Sequence, residues 1–199
     1  MKLAKKFSLA AIVVAAGVLL AACQTTRSNT LVFTPPAPTA TMTSSNQKAV
    51  VNVVGKDDRS NPSIATYKVN DGLFSLSASP DVATLFKQVL QQDLNAKGFH
   101  VGSVSAANTN VVVMVQQFYA NVEEGNLRHK ITSKIQLAIH VQGAKGNFTK
   151  NIGSTRTDEG AFTVNNADIQ KSLDAVLKEV VSAIYKDQEI ANAIRQYAN

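Results

Sequence analysis

The sequence has 199 residues, with 20 Lys and Arg against 14 Asp and Glu, a formal net charge of +6, one cysteine and no tryptophan. A lone cysteine excludes an internal disulfide. Lys2, Lys5 and Lys6 precede an apolar run; without them 17 basic residues face 14 acidic ones, a net +3 that argues against a nucleic-acid partner.

Those lysines begin an export pattern. Phe7 to Leu20 is apolar apart from Ser8 and Gly17, and the small pair Ala21-Ala22 follows. The run is shorter than the roughly 20 residues of a membrane span, and it lacks the polar face of a soluble helix. "LAAC" (Leu20 to Cys23) resembles the lipobox of bacterial lipoproteins. That resemblance implies removal of residues 1–22, a diacylglycerol on the Cys23 thiol and acylation of its new amine. A thiol suits the attachment because its thiolate is the nucleophile, and several chains are needed because one acyl chain anchors only marginally. Gln24 stands where an inner-membrane retention signal would have aspartate, which by the same resemblance implies the outer membrane, with the domain facing the periplasm.

Residues 23–48 read as a lipidated flexible tether. Thr, Ser and Pro dominate, Arg27 and Lys48 are its charges, and nothing is periodic. About 25 such residues would reach roughly 25–30 Å. "LVF" (Leu31 to Phe33) offers an edge strand as the alternative to a solvated tether. Residues 49–199 are enough for one domain, and no second linker interrupts them.

Within that domain, "KAVVNVVGKDD" predicts a strand ending in a charged turn. "ATYKV" and "LFSLS" flank Asn70-Asp71-Gly72 as a hairpin. "SPDVATLFKQVLQQDLNAKG" predicts a helix capped by Ser79, with Pro80 at its first position and Lys97-Gly98 at its end. "FHV" is a short candidate strand. From 110 to 143 comes a long hairpin. Ile131, Ile135, Leu137, Ile139 and Val141 alternate with Thr132, Lys134, Gln136 and His140, one face buried and one wet. A Gly125-Asn126 turn would place Glu123 opposite Arg128 and Gln117 opposite Lys134, with Val112, Met114, Phe118 and Ala120 against the core; a slip of one residue would reverse the faces. Residues 147–158 predict a third antiparallel strand, "NADIQKSLDAVLKEVVSAIYKD" a second amphipathic helix, and Ile190, Ile194 and Tyr197 a short last helix. The expected fold is α+β: an antiparallel or mixed sheet, two main amphipathic helices on one face, and a short C-terminal helix.

The search for chemistry leaves little. His100, His129 and His140 lack ligand spacing, so no metal or other cofactor is expected. No phosphate loop, nucleophile elbow or zincin helix is present. Asp57-Asp58 and Asp158-Glu159 lie in turns or at a strand end, and an enzyme could use them only if the fold brought them together. Arg128, Lys130 and Lys134 share the wet face of one strand and form a candidate surface for acidic envelope partners such as peptidoglycan carboxylates or lipid phosphates, although Glu123 would neutralise part of it.

"SPDVATLFKQVLQQDLNAKGF", "QQFYANVEEGNLRHKITSKIQLAI" and "TRTDEGAF" together resemble the YajG-type lipoprotein family of Gram-negative bacteria. The resemblance spans nearly the whole domain and assigns a role to Cys23 alone. The expected function is therefore a non-catalytic periplasmic binding or accessory module, held to the membrane by its lipid and meeting an envelope protein or peptidoglycan. The alternatives are a subunit of an envelope assembly complex, joined through a sheet edge, and a cell-wall-active enzyme.

Overall fold

The computed structural model describes residues 28–39, 41–70 and 72–198. Residues 1–22 and Cys23 lie outside the described residues. The chain order is β1 (Thr30–Val32), a 3₁₀ turn (Ser44–Lys48), β2 (Val50–Asp57), β3 (Ala65–Val69), β4 (Gly72–Ser79), α1 (Val82–Ala96), β5 (His100–Val101), β6 (Thr109–Glu124), β7 (Arg128–Gly143), β8 (Gly146–Ala161), α2 (Asn166–Lys186) and α3 (Glu189–Tyr197).

The expected long hairpin is the spine of one eight-stranded mixed sheet. β6, β7 and β8 form an antiparallel meander. Along its other edge β6 is shared: its first half pairs with β2 in parallel and its last part with β3 in parallel. β4 continues from β3 antiparallel, β1 joins β4 in parallel, and β5 joins β2. All three helices pack on one face. Ile131, Ile135, Leu137, Ile139 and Val141 point into that core as their alternation requires, and share it with Leu85, Phe86, Val89 and Leu90 of α1 and Leu173, Val176 and Val180 of α2.

Three expectations are corrected. The β6–β7 turn is Asn126-Leu127, not Gly125-Asn126: the Gly125 N–H donates to the Arg128 carbonyl at 2.8 Å. Glu123 therefore faces Lys130, and Tyr119 rather than Gln117 faces Lys134. The faces also change partway along β6. Pairing shifts between Val115 and Gln117, so Gln116 is the extra residue of a β-bulge. Before it Val111, Val113 and Val115 are buried; after it Phe118 and Ala120 are. Val112 and Met114, expected on the core side, lie on the outer face only half-buried.

The α1 cap is Asp81 instead of Ser79. Its carboxylate accepts the Thr84 N–H at 3.0 Å, as a side chain can only from the N-cap position. Asn165 and Asp168 form a capping box at the start of α2.

The third correction concerns the tether. Residues 28–39 and 41–48 pack on the domain. Leu31 and Phe33 are buried, Phe33 edge-to-face with Phe118 at 5.2 Å. Gln170 of α2 donates to the Val32 carbonyl, Tyr185 to the Pro36 carbonyl and Asn46 to the Lys97 carbonyl. These apolar and backbone contacts outweigh the Thr/Pro composition from which a free segment was expected.

Candidate functional site

Because the helices take one face of the sheet, the other stays open to solvent. Alternation puts Arg128, Lys130, Thr132 and Lys134 of β7 on that outer face, beside Tyr119, Asn121 and Glu123 of β6 and Thr155, Thr157 and Glu159 of β8. The three cations expected to act together differ in their surroundings. Lys130 stands 3.7 Å from Glu123. Arg128 and Lys130 share a shallow cavity of about 430 Å³ with Glu123, Glu124 and Glu159, so carboxylates offset their charge. Lys134 lies apart, flanked by Tyr119 and Thr155.

Beside Tyr119 the bulge opens a cleft of about 210 Å³, lined by Arg59, Ser60, Asn61, Ser63, Gln116, Gln117, Phe118 and Tyr119. One side is the loop between β2 and β3, which Arg59 fastens down. Its Nε and Nη2 each meet an Asp57 carboxylate oxygen at 2.8 Å. The same guanidinium donates to the carbonyls of Phe118 at 3.1 Å, Pro62 at 3.1 Å and Ser63 at 3.4 Å. Bidentate geometry makes this a rigid clamp, and the Arg59 hydrogen bonds hold the Asp57 carboxyl below its usual value against some opposing desolvation. The other side presents Gln116 and Gln117, both turned to solvent by the bulge. This cleft was not foreseen. The one signal in the sequence is that buried apolar residues pass from odd to even numbers across Gln116-Gln117.

The two acidic turns do not meet. Asp57 lies beside Val115, level with Leu137 of β7, whereas Asp158 pairs with Ile131. Six residues along the strands and three strands across separate them by roughly 25 Å. Asp158 accepts from Arg156 at 2.9 Å and from Ser172 at 2.8 Å, and Ser172 in turn receives the Ser133 hydroxyl at 2.8 Å. Asp58 pairs with Lys56 at 3.3 Å. Among the described residues, no three His, Cys, Asp or Glu side chains gather as metal ligands would. His140 bonds Thr149 on the outer face, and buried His129 donates from Nδ1 to the Phe162 carbonyl at 2.9 Å.

No described helix is long and apolar enough to cross a membrane. A crystal structure of a protein from Xanthomonas campestris has the same fold, with a TM-score of 0.52, 10% identity, and coverage of 85% of this chain and 97% of that one. The lipoprotein YajG of Escherichia coli K12, described as uncharacterized, is 32% identical over 149 residues, 74% of this chain and 77% of its own; that of E. coli O6:H1 matches equally. A family model described as "Uncharacterized lipoprotein" matches residues 35–195. With the fold of the domain, the family match over most of its length and this identity in hand, the chain belongs to the YajG-type family of bacterial lipoproteins.

Proposed function

We propose that the chain is an outer-membrane lipoprotein, anchored by acyl chains on Cys23, whose domain faces the periplasm as a non-catalytic binding or accessory module. The observation that carries this reading is the open sheet face with its preorganised cleft at the β6 bulge. Helices cover the opposite face, while Gln116, Gln117, Tyr119 and Lys134 offer amide, aromatic and cationic contacts around a loop that Arg59 holds rigid. Polar groups converging on a concave, rigid site suit recognition. The acidic turns stand too far apart to share one bond-breaking step.

A second reading, membership of an envelope assembly complex, is favoured by β8. This 16-residue strand has β7 on one side and, among the described residues, no strand on the other. It contains no proline, and Lys150 and Arg156 are drawn to Asp187, Glu189 and Asp158 within the chain. Such an edge can accept a further strand.

A photoreactive residue at Gln117 for the face, or at Thr155 beside the edge, tests both in intact cells. The expected result is one discrete partner captured from Gln117 and lost in Cys23→Ser. Capture from Thr155 alone favours the complex subunit. Capture from neither points to a glycan, lipid or small ligand in place of a protein.

A further inference from the structure

Ser28, five residues after Cys23, sits at a defined place on the domain. β1 is parallel to β4, and β4 begins at the turn that ends β3. β3 is parallel to β6, which ends at the Asn126-Leu127 turn. Ser28 and Asn29, just before β1, therefore lie towards the end of the sheet that carries both turns and the last residue of β8. Local bonds agree. Asn166, the first residue of α2, donates to the Ser28 carbonyl at 2.7 Å. Four residues before it, the Phe162 N–H donates to the Leu127 carbonyl at 3.0 Å. Cys23 and Ser28 are five residues apart, at most about 18 Å of extended chain.

Three large apolar side chains stand exposed at this same end, against Met42 and Val104, each 70% exposed, at the other. Leu73 is 75% exposed, Leu127 73% and Phe162 73%. Single exposed apolar residues are ordinary, but these three lie beside the turns, at the end where Ser28 lies. Phe162 also holds φ at +65°, a left-handed backbone that a bulky residue seldom adopts. Two hydrogen bonds fix it there, from its own N–H to Leu127 and from His129 to its carbonyl, and the ring is left in solvent. The charges around it offset one another, Lys68, Arg128 and Lys130 against Glu123, Glu124 and Glu159.

We infer that this turn end rests on the bilayer that holds Cys23, with Leu127 and Phe162 entering the boundary between headgroups and acyl chains and Leu73 beside them. The inference rests on the reading of Cys23 as lipidated. The contact is apolar and needs no anionic lipid. It stands the sheet upright on the membrane, so that the open face looks sideways and the loop at Val104 points away.

The absence of tryptophan gives a clean reporter. Phe162→Trp, Leu127→Trp and, in the 102–108 loop at the opposite end, the 70% exposed Val104→Trp are each made in the lipidated full chain and bound to phosphatidylcholine vesicles with or without brominated acyl chains. Flotation and the mass of the Cys23 peptide report the anchor independently. Emission from Trp at 162 and 127 should shift to the blue and be quenched by bromine, while Trp at 104 stays unchanged. If the protein floats but all three reporters behave like the one at 104, the inference is overturned and the anchor stands. If Cys23 is unmodified and nothing floats, the anchor reading fails and the inference falls with it.

Discussion

The two ends of the sheet treat their awkward groups in opposite ways. At the far end, where α1 and α2 both finish, charge is buried and tied. Asp93 and Lys97 have side-chain exposures of 2% and 4% and meet at 2.8 Å. The same ammonium donates to the carbonyl of Asp187 at 2.7 Å, at a helix C-terminus where carbonyls lack intrahelical donors, and at 3.4 Å to that of Ile184, which also receives the Asp187 N–H at 3.2 Å. At the turn end nothing comparable is locked. Apolar side chains stay in water, and Phe162 keeps a backbone conformation that costs energy without burying its ring. One end holds two helices together through a buried ion pair; the other keeps an exposed aromatic residue in a left-handed backbone.

The sharpest way to break this contrast is at the far end. Lys97→Met leaves Asp93 buried without its partner and removes the Lys97 donor from the Asp187 carbonyl. Breaking a buried pair on one side costs about 3–5 kcal/mol, so the urea midpoint at pH 7 should fall strongly. Adding Asp93→Leu should restore part of the loss, since two apolar side chains can replace a buried pair, though not all of it, because the Asp187 carbonyl loses the Lys97 donor. Full stability in Lys97→Met alone would mean that the far end is not locked by charge.

The second effect is on pH. Burial pushes the Asp93 carboxyl up to about 6, against the pull of Lys97 and with a small push from Asp187. A carboxyl raised above its ordinary value of 3.8 binds its proton more tightly in the folded chain. Its contribution to stability is thus complete below the unfolded value and is lost as pH rises through 6, by roughly 3 kcal/mol. Asp57 and Asp81 are lowered, by Arg59 and by the Thr84 N–H, and lose their contributions only as pH falls below the ordinary range. The Asp93 transition therefore falls in the interval between pH 4 and 7. Denaturation across it should show stability falling with pH, and Asp93→Asn should flatten the slope.

How much of this was legible beforehand differs between the regions for physical reasons. Ile131 to Val141 announce their strand because one face is wet and the other dry. The register could not be read, because Val112 and Met114 are apolar on the outer face and hide the change of parity at Gln116. "LVF" was legible only as an edge-strand alternative, which β1 takes up, whereas the burial of Leu31 and Phe33 depends on partners distant in sequence, such as Phe118. The far-end lock joins Lys97 to Ile184 and Asp187 across about ninety positions, which no local signal predicts. Leu127 and Phe162 look like ordinary core candidates until the fold leaves them outside.

At the turn end, Phe162→Gly tests whether strain is present. Glycine adopts φ near +65° freely, whereas an L-residue pays about 1–2 kcal/mol; glycine's greater unfolded freedom takes back roughly 0.5–1 kcal/mol. The unanchored Cys23→Ser chain should therefore gain between about 0 and 1.5 kcal/mol. A clear loss would show that the ring packs on the domain and that the contrast between the ends is weaker than drawn.

The smallest expected effect is at Glu123. Its contact with Lys130 is 3.7 Å long, with both side chains about half exposed, at 59% and 44%. Pairs of this kind contribute about 0.2–1 kcal/mol and often nothing measurable, so Glu123→Gln should leave the urea midpoint almost unchanged. Its effect should appear elsewhere, because it frees Lys130 and tilts the balanced charge of the turn end towards positive. Binding of the Cys23→Ser chain to vesicles containing anionic lipid should rise modestly and in a salt-sensitive way, while binding to neutral vesicles should not. A fall in stability without a change in vesicle binding would make the pair a structural brace, and would bring the turn end closer in kind to the far one.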